Sequence, residues 1–205
     1  PGKEEFLGLL KYYENQIYNS NIELKLGSKP SIDTLTNFDE VIIATGVKPR
    51  KINLPGDTSN KIVSYVDVLN KKIKIGKKVA IIGAGGIGFD VAHFLSVEEN
   101  IKMDLDLWLK EWGVGDPSLY RGGLVNNEKN INQSVRKIHL LQRKNGRVGK
   151  SLGKTTGWVH RKLLENKGIE MLGSINYERI TNEGLEITIG EDKFNKKLLK
   201  VDNIV

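Results

Sequence analysis

Apolar positions along the chain fall into two rhythms. Short unbroken runs at Asp39 to Thr45 (DEVIIAT), Val79 to Ile82 (VAII) and Ile138 to Leu141 (IHLL) have the pattern of strands buried on both faces of a parallel sheet. Helical spacing appears over Lys3 to Asn19 (Phe6, Leu9, Leu10, Tyr13, Ile17) and again after Gly83 (Val91, Phe94, Leu95). A third helix is predicted from Thr155 or Thr156, as a cap, through Val159, Leu163 and Leu164 to Gly168. Ser64 is placed to cap a short helix over Val66 to Leu69. Ile22, Leu24 and Leu26 alternate like a short strand. IEMLG, INYERIT, LEITIG and FNKKLLKVD read as short strands of a meander, with turns at Asn182–Gly184 and Gly190–Asp192. Val47 to Pro55, with two prolines and Gly56 just beyond, reads as a crossing linker.

Between Glu98 and Ser134 the pattern supports two structures. Ile101, Met103, Leu105, Leu107 and Leu109 alternate strictly, as a strand does. Leu105, Leu109 and Trp112 also fit a helix, which Gly113 would end. The following GVGDPSLYRGGLVNNEKNINQS has the composition of a long loop.

The segment most loaded with chemistry is KKVAIIGAGGIGFDVA, Lys77 to Ala92. Its buried-strand run leads into Gly83, Gly85 and Gly88 in G-x-G-x-x-G spacing, and a helix pattern follows. Gly83 suits the tight turn, Gly85 lets a pyrophosphate approach the backbone, and Gly88 allows close helix–strand packing. The unpaired amides at the helix start, with the positive end of its dipole, favour phosphate. Strand before and helix after give the motif the context it requires for a dinucleotide. The fold class is therefore α/β: a Rossmann-like parallel-sheet dinucleotide-binding domain with a small β meander.

Which dinucleotide binds depends on the second strand. An NAD-binding fold carries an acid about 20 residues beyond the glycines, and Asp104 and Asp106 sit near that distance. If Ile101–Leu109 is that strand, Lys110 stands at its end instead of an acid. If Ile138–Leu141 is that strand, its tip reads Gln142, Arg143, Lys144. No carboxylate there repels a 2′-phosphate, Arg143 offers a fork to grip it and Lys144 adds a point charge. That second arrangement favours NADPH over NADH.

Composition narrows the rest. The 205 residues, 39% hydrophobic and 28% charged, suit a globular α/β chain of one large or two small domains. No apolar run approaches the roughly 18–20 residues of a membrane span, and PGKEEF has no signal-peptide character. With 0 cysteines, the chain holds no disulfide, thiolate redox centre or cysteine-bound iron–sulfur cluster, which fits the cytoplasm. The net charge of +7 comes mostly from lysines interleaved with acids, and the basic run Lys144–Lys154 lacks the aromatics of an RNA-stacking surface, so no nucleic-acid partner is expected. GVGKSLGKTTG falls short of a P-loop because Gly149 and Gly153 are one residue too close. Lys154 and Thr155 could touch a ligand or simply cap a helix. His93, His139 and His160 have no metal-ligand spacing.

Taken together, DEVIIATGVKPR, KKVAIIGAGGIGFDVAHFLS, EWGVGDPSLYRGGL and LLQRKNGRVGKSLGKTTGWVHR resemble the C-terminal half of the bacterial NADPH-dependent 2,4-dienoyl-CoA reductases, in the old-yellow-enzyme and trimethylamine dehydrogenase group. The resemblance implies a larger flavoprotein: a barrel holding FMN and substrate, an iron–sulfur cluster, and an FAD domain interrupted by an NADPH domain. It places Gly83, Gly85, Gly86 and Gly88 at the pyrophosphate of NADPH, with Ile87 helping to set the dinucleotide's approach. Ala44, Thr45 and Gly46 match a turn that lies against FAD, and Arg143 and Lys144 match the strand end that reads the 2′-phosphate. Asp90 stands where related flavoproteins often carry Glu. The implied organisation is 1–75 as part of a split FAD domain with its linker, 76–200 as the NADPH domain, and 201–205 as the start of a strand returning to the FAD domain. The implied partners are the nicotinamide dinucleotide and the missing barrel and FAD-domain segments, and the piece alone is expected to be inactive. The alternative is a non-catalytic nucleotide-binding or interaction module.

Overall fold

The computed structural model describes residues 5–56, 61–98, 104–125, 133–192 and 194–205. Its contacts divide the chain into two units, Pro1–Lys48 and Pro49–Val205.

The first unit holds helix α1 (Phe6–Tyr18) and the four-residue α2 (Ile32–Leu35), whose cap Ser31 accepts the Thr34 amide. Neither helix has a buried residue. The strands expected over Ile22–Leu26 and Asp39–Thr45 do not form. Ile42 and Ile43 are 90% and 82% exposed. An apolar run becomes a strand only when neighbouring backbone takes its amides and carbonyls, and no described strand pairs with this one.

In the second unit, Ser64 caps α3 (Tyr65–Leu69) as its sequence suggests, accepting the Val66 amide. Strand β1 (Lys78–Ile82) and helix α4 (Gly86–Ser96) follow. The ambiguous segment is helical: α5 (Leu105–Trp112) starts at Asp104, whose Oδ1 accepts the Leu107 amide at 2.7 Å, and ends at Gly113 with φ 64°. Ile101 and Met103 lie outside the described residues. A buried ion pair, Lys167 Nζ to Glu111 Oε1 at 3.2 Å, ties α5 to the end of α6 (Gly157–Asn166). Part of the expected long loop is closed, because Val114 bridges Leu124 and the Val125 amide donates to Gly113. At the start of α6, the Thr156 carbonyl accepts the Val159 and His160 amides, and no threonine hydroxyl makes the expected cap.

Strands β2 (Lys137–Leu141), β3 (Glu170–Leu172) and β7 (Asn203–Ile204) complete a parallel sheet of order β3-β2-β1-β7. One expectation changes here. IEMLG leaves the meander, because β3 pairs with β2, His139 opposite Glu170. Strand β7 lies beside β1 and extends this sheet past residue 200. The antiparallel sheet holds β4 (Ile175–Thr181), β5 (Gly184–Ile189) and β6 (Asn195–Lys200), with the two predicted turns between them.

Strand alternation sorts the core into two layers. Val79, Ile81, Ile138 and Leu140 face helix residues such as Phe89, Val91, Leu95 and Leu164. Ala80, Leu141 and Ile204 face Ile175, Ile180, Leu185, Ile187 and Leu199 of the antiparallel sheet. The parallel sheet is thus covered on both sides, as its unbroken apolar runs require.

Candidate functional site

In the order β3-β2-β1-β7 the chain steps to one side of β1 for β2 and β3, and to the other side for β7. Open parallel sheets bind ligands at such a reversal, outside the carboxyl ends of the strands. The glycine bend leaves β1 at that point.

Each glycine there has a distinct geometry. Gly83 turns with φ 109°, a conformation strained for any residue with a Cβ, while its amide donates to the Leu141 carbonyl at 2.9 Å. Gly88 is buried, and a Cβ there would lie 1.9 Å from the Gly83 carbonyl oxygen, so helix and turn touch through bare backbone. At Gly85 and Gly86 a Cβ would meet nothing within 4 Å, and both residues are exposed. The first helical bond runs from the Phe89 amide to the Gly85 carbonyl. The amides of Gly86, Ile87 and Gly88 therefore precede the helical ladder and have no carbonyl of α4 to bond. Ile87 stands 52% exposed beside them. The bend is closed underneath and open above, which fits the pyrophosphate of a nicotinamide dinucleotide.

The second strand of the sheet is Lys137–Leu141, which decides between the two sequence alternatives. Asp104 and Asp106 belong to the first turn of α5, not to a strand end. Leu141 lies opposite Ile82, so the tip Gln142, Arg143, Lys144 stands next to the glycine bend. Arg143 and Lys144 are exposed, as is Arg147. Tyr177 of β4 is held beside this tip: burial pushes its hydroxyl up to about 12, partly opposed by the Arg143 guanidinium. The Asn145 Nδ2 donates to Glu191 Oε1 at 2.8 Å, anchoring the loop to the β5–β6 turn. Neither Tyr177 nor Glu191 was legible as a neighbour of the site, because each comes from a strand or turn far along the chain.

Ala44, Thr45 and Gly46 lie in the first unit as exposed coil, with Gly46 at φ 71°. The glycine-rich run after Arg147 folds onto α4: a Cβ at Gly149 would lie 2.7 Å from the Phe89 ring, and the Arg161 guanidinium donates to the Gly149 carbonyl. His139 is buried, its Nδ1 2.6 Å from Glu170 Oε2, and burial lowers its pKa. Burial also lowers His93, with Lys167 adding to the effect. Among the described residues, no group of three or more His, Asp or Glu side chains could hold a metal. No described helix is long and apolar enough to cross a membrane.

Known proteins resemble this chain in sequence and in fold. The chain is 24% identical over 212 residues to a metal reductase of Desulforamulus reducens, spanning all of this chain and 30% of that protein. It is 34% identical over 113 residues to a cinnamate reductase of Clostridium sporogenes, spanning 54% of this chain and 15% of that protein. A 2-naphthoyl-CoA reductase solved with 2-naphthoyl-CoA superposes with a TM-score of 0.63 at 20% identity, over 98% of this chain and 25% of its own. The chain thus spans less than a third of the length of these proteins. The family model described as pyridine nucleotide-disulphide oxidoreductase matches residues 10–205. With its parallel sheet, glycine bend and that match, the chain belongs to the pyridine nucleotide-disulphide oxidoreductase family.

Proposed function

We propose that this chain is the NADPH-binding part of a multi-cofactor flavin reductase. The observation that carries the proposal is the pairing of two features at one sheet reversal. An open glycine bend exposes the leading amides of α4, and a cationic tip of β2, whose own residues Gln142, Arg143 and Lys144 carry no carboxylate, stands beside it. Gly83 and Gly88 shape the bend, while the amides around Gly85, Gly86 and Ile87 take the pyrophosphate. Arg143 and Lys144 take the 2′-phosphate, Arg143 through a bidentate fork. A nicotinamide bound here would supply hydride chemistry, with FAD as the acceptor; this chain's own residues supply binding, orientation and charge. Ala44, Thr45 and Gly46 are assigned to the FAD side, and residues 1–75 to the split FAD domain. The relatives named for reduction of cinnamate and 2-naphthoyl-CoA support an unsaturated acyl substrate, such as an enoyl- or dienoyl-CoA; its assignment to a separate barrel with FMN and an iron–sulfur cluster follows from the sequence resemblance alone. A cytoplasmic setting goes with this assignment.

Thermal unfolding with and without nucleotide tests the reading. A ligand that binds only the folded chain adds about 2.7 kcal/mol at a hundredfold excess over its Kd. NADPH is expected to raise the Tm more than NADH at equal concentration, and Arg143→Ala to remove most of that difference. An unchanged difference in Arg143→Ala would discard the 2′-phosphate assignment. Salt-sensitive binding of a polyanion such as heparin, with no response to either dinucleotide, would favour the interaction module.

A further inference from the structure

Gln142, the first residue after β2, uses every hydrogen-bonding group it has on the protein itself. Its amide donates to the Leu172 carbonyl at 2.8 Å, and its carbonyl accepts the Ile175 amide at 3.0 Å. Its side chain spans the basic loop: Oε1 accepts the Gly149 amide at 3.1 Å, and Nε2 donates to the Lys144 carbonyl at 3.0 Å. One partner is a donor and the other an acceptor, so only this orientation of the amide satisfies both, and only an amide satisfies both together. The loop is also fixed at other points. Gly149 is wedged against Phe89 with φ 73°, the Ser174 amide donates to the Lys144 carbonyl at 3.3 Å, and Asn145 is bonded to Glu191. The loop backbone is therefore fastened while the side chains of Arg143, Lys144 and Arg147 stand in solvent.

We infer that Gln142 is a positioning residue that sets the preference for NADPH over NADH without touching either nucleotide, by closing the loop that carries Arg143 and Lys144 at a fixed distance from the glycine bend. The inference rests on the assignment of those two cations to the 2′-phosphate. A fork pre-set by the backbone gives up less freedom on binding than one carried by a loose loop. NADH makes no use of the fork, so its affinity is indifferent to the brace.

The test is titration of the full chain with NADPH and NADH, comparing the native sequence with Gln142→Met, Gln142→Asn and Arg143→Ala. Gln142→Met keeps the length of the side chain and loses both bonds. Gln142→Asn keeps an uncharged amide one methylene too short to span both partners, and serves if the methionine variant does not fold. Each is expected to weaken NADPH about tenfold, the loss that one or two hydrogen bonds give, and to change NADH by less than about twofold. A residue that merely held the fold together would weaken both nucleotides alike, and that result overturns the inference. So does an unchanged NADPH-to-NADH ratio in both Gln142 variants while Arg143→Ala lowers it. If Arg143→Ala also leaves the ratio unchanged, the 2′-phosphate assignment fails and takes the inference with it.

Discussion

Val79–Ile82 and Val41–Ile43 are close to interchangeable as text, yet one is core and the other is surface. Val79 and Ala80 are completely buried, while Val41, Ile42 and Ile43 are 45%, 90% and 82% exposed. The first run has β2 on one side and β7 on the other, with a helix layer and an antiparallel sheet over its faces. The second has no described strand beside it. Apolar patterning states that a segment needs burial; it does not supply the partner. Burial of a large aliphatic side chain is worth roughly 1.5–3 kcal/mol only when other elements exclude the water.

The comparison breaks most visibly by truncation. Ile81→Ala is expected to cost about 2–5 kcal/mol, through lost transfer energy and the cavity left between β1 and α4. Ile42→Ala in the same chain is expected to stay within about 0.5 kcal/mol, as exposed substitutions do. Denaturant titration of both variants checks the pair, and similar losses would mean that the first unit has a core of its own. A smaller effect sharpens the contrast through protons. All three histidines lie in the second unit, and burial lowers the pKa of His93 and His139 below the ordinary 6.5. The unfolded chain then binds more protons than the folded one below that value, so stability is full above 6.5 and falls as pH drops through it. Melting followed from about pH 8 to pH 5 should show that loss at the parallel sheet, with α1 of the first unit indifferent to it. A Tm that rises on acidification would contradict the burial of these two imidazoles.

The same contrast explains what could be read in advance. The strand–bend–helix at 78–96 was legible because its glycines are required by local backbone geometry and its apolar run found its partners. The helix over Leu105–Trp112 was half legible: Asp104 as cap and Gly113 as terminator outweigh an alternation that fits a strand equally well. The three residues of β3 were misplaced because their assignment comes from pairing with a distant strand, not from pattern. In the site, the glycines and the cations of 143–144 were legible, each visible within a few residues of sequence. The brace at Gln142 and the ion pair of Glu111 with Lys167 were not, since they join groups that only the fold brings together.

If the bend after β1 holds a dinucleotide's pyrophosphate, Gly85 is the position most sensitive to an added side chain. A Cβ there meets nothing in the protein itself, and in a dinucleotide bend the second glycine is the one whose backbone the pyrophosphate approaches. The decisive measurement is NADPH affinity of Gly85→Ala beside its Tm without nucleotide. The expected result is an unchanged Tm with NADPH binding weakened by about tenfold or more, a loss of at least about 1.4 kcal/mol. An unchanged Tm with NADPH bound as tightly as before would place the phosphates elsewhere and contradict the account.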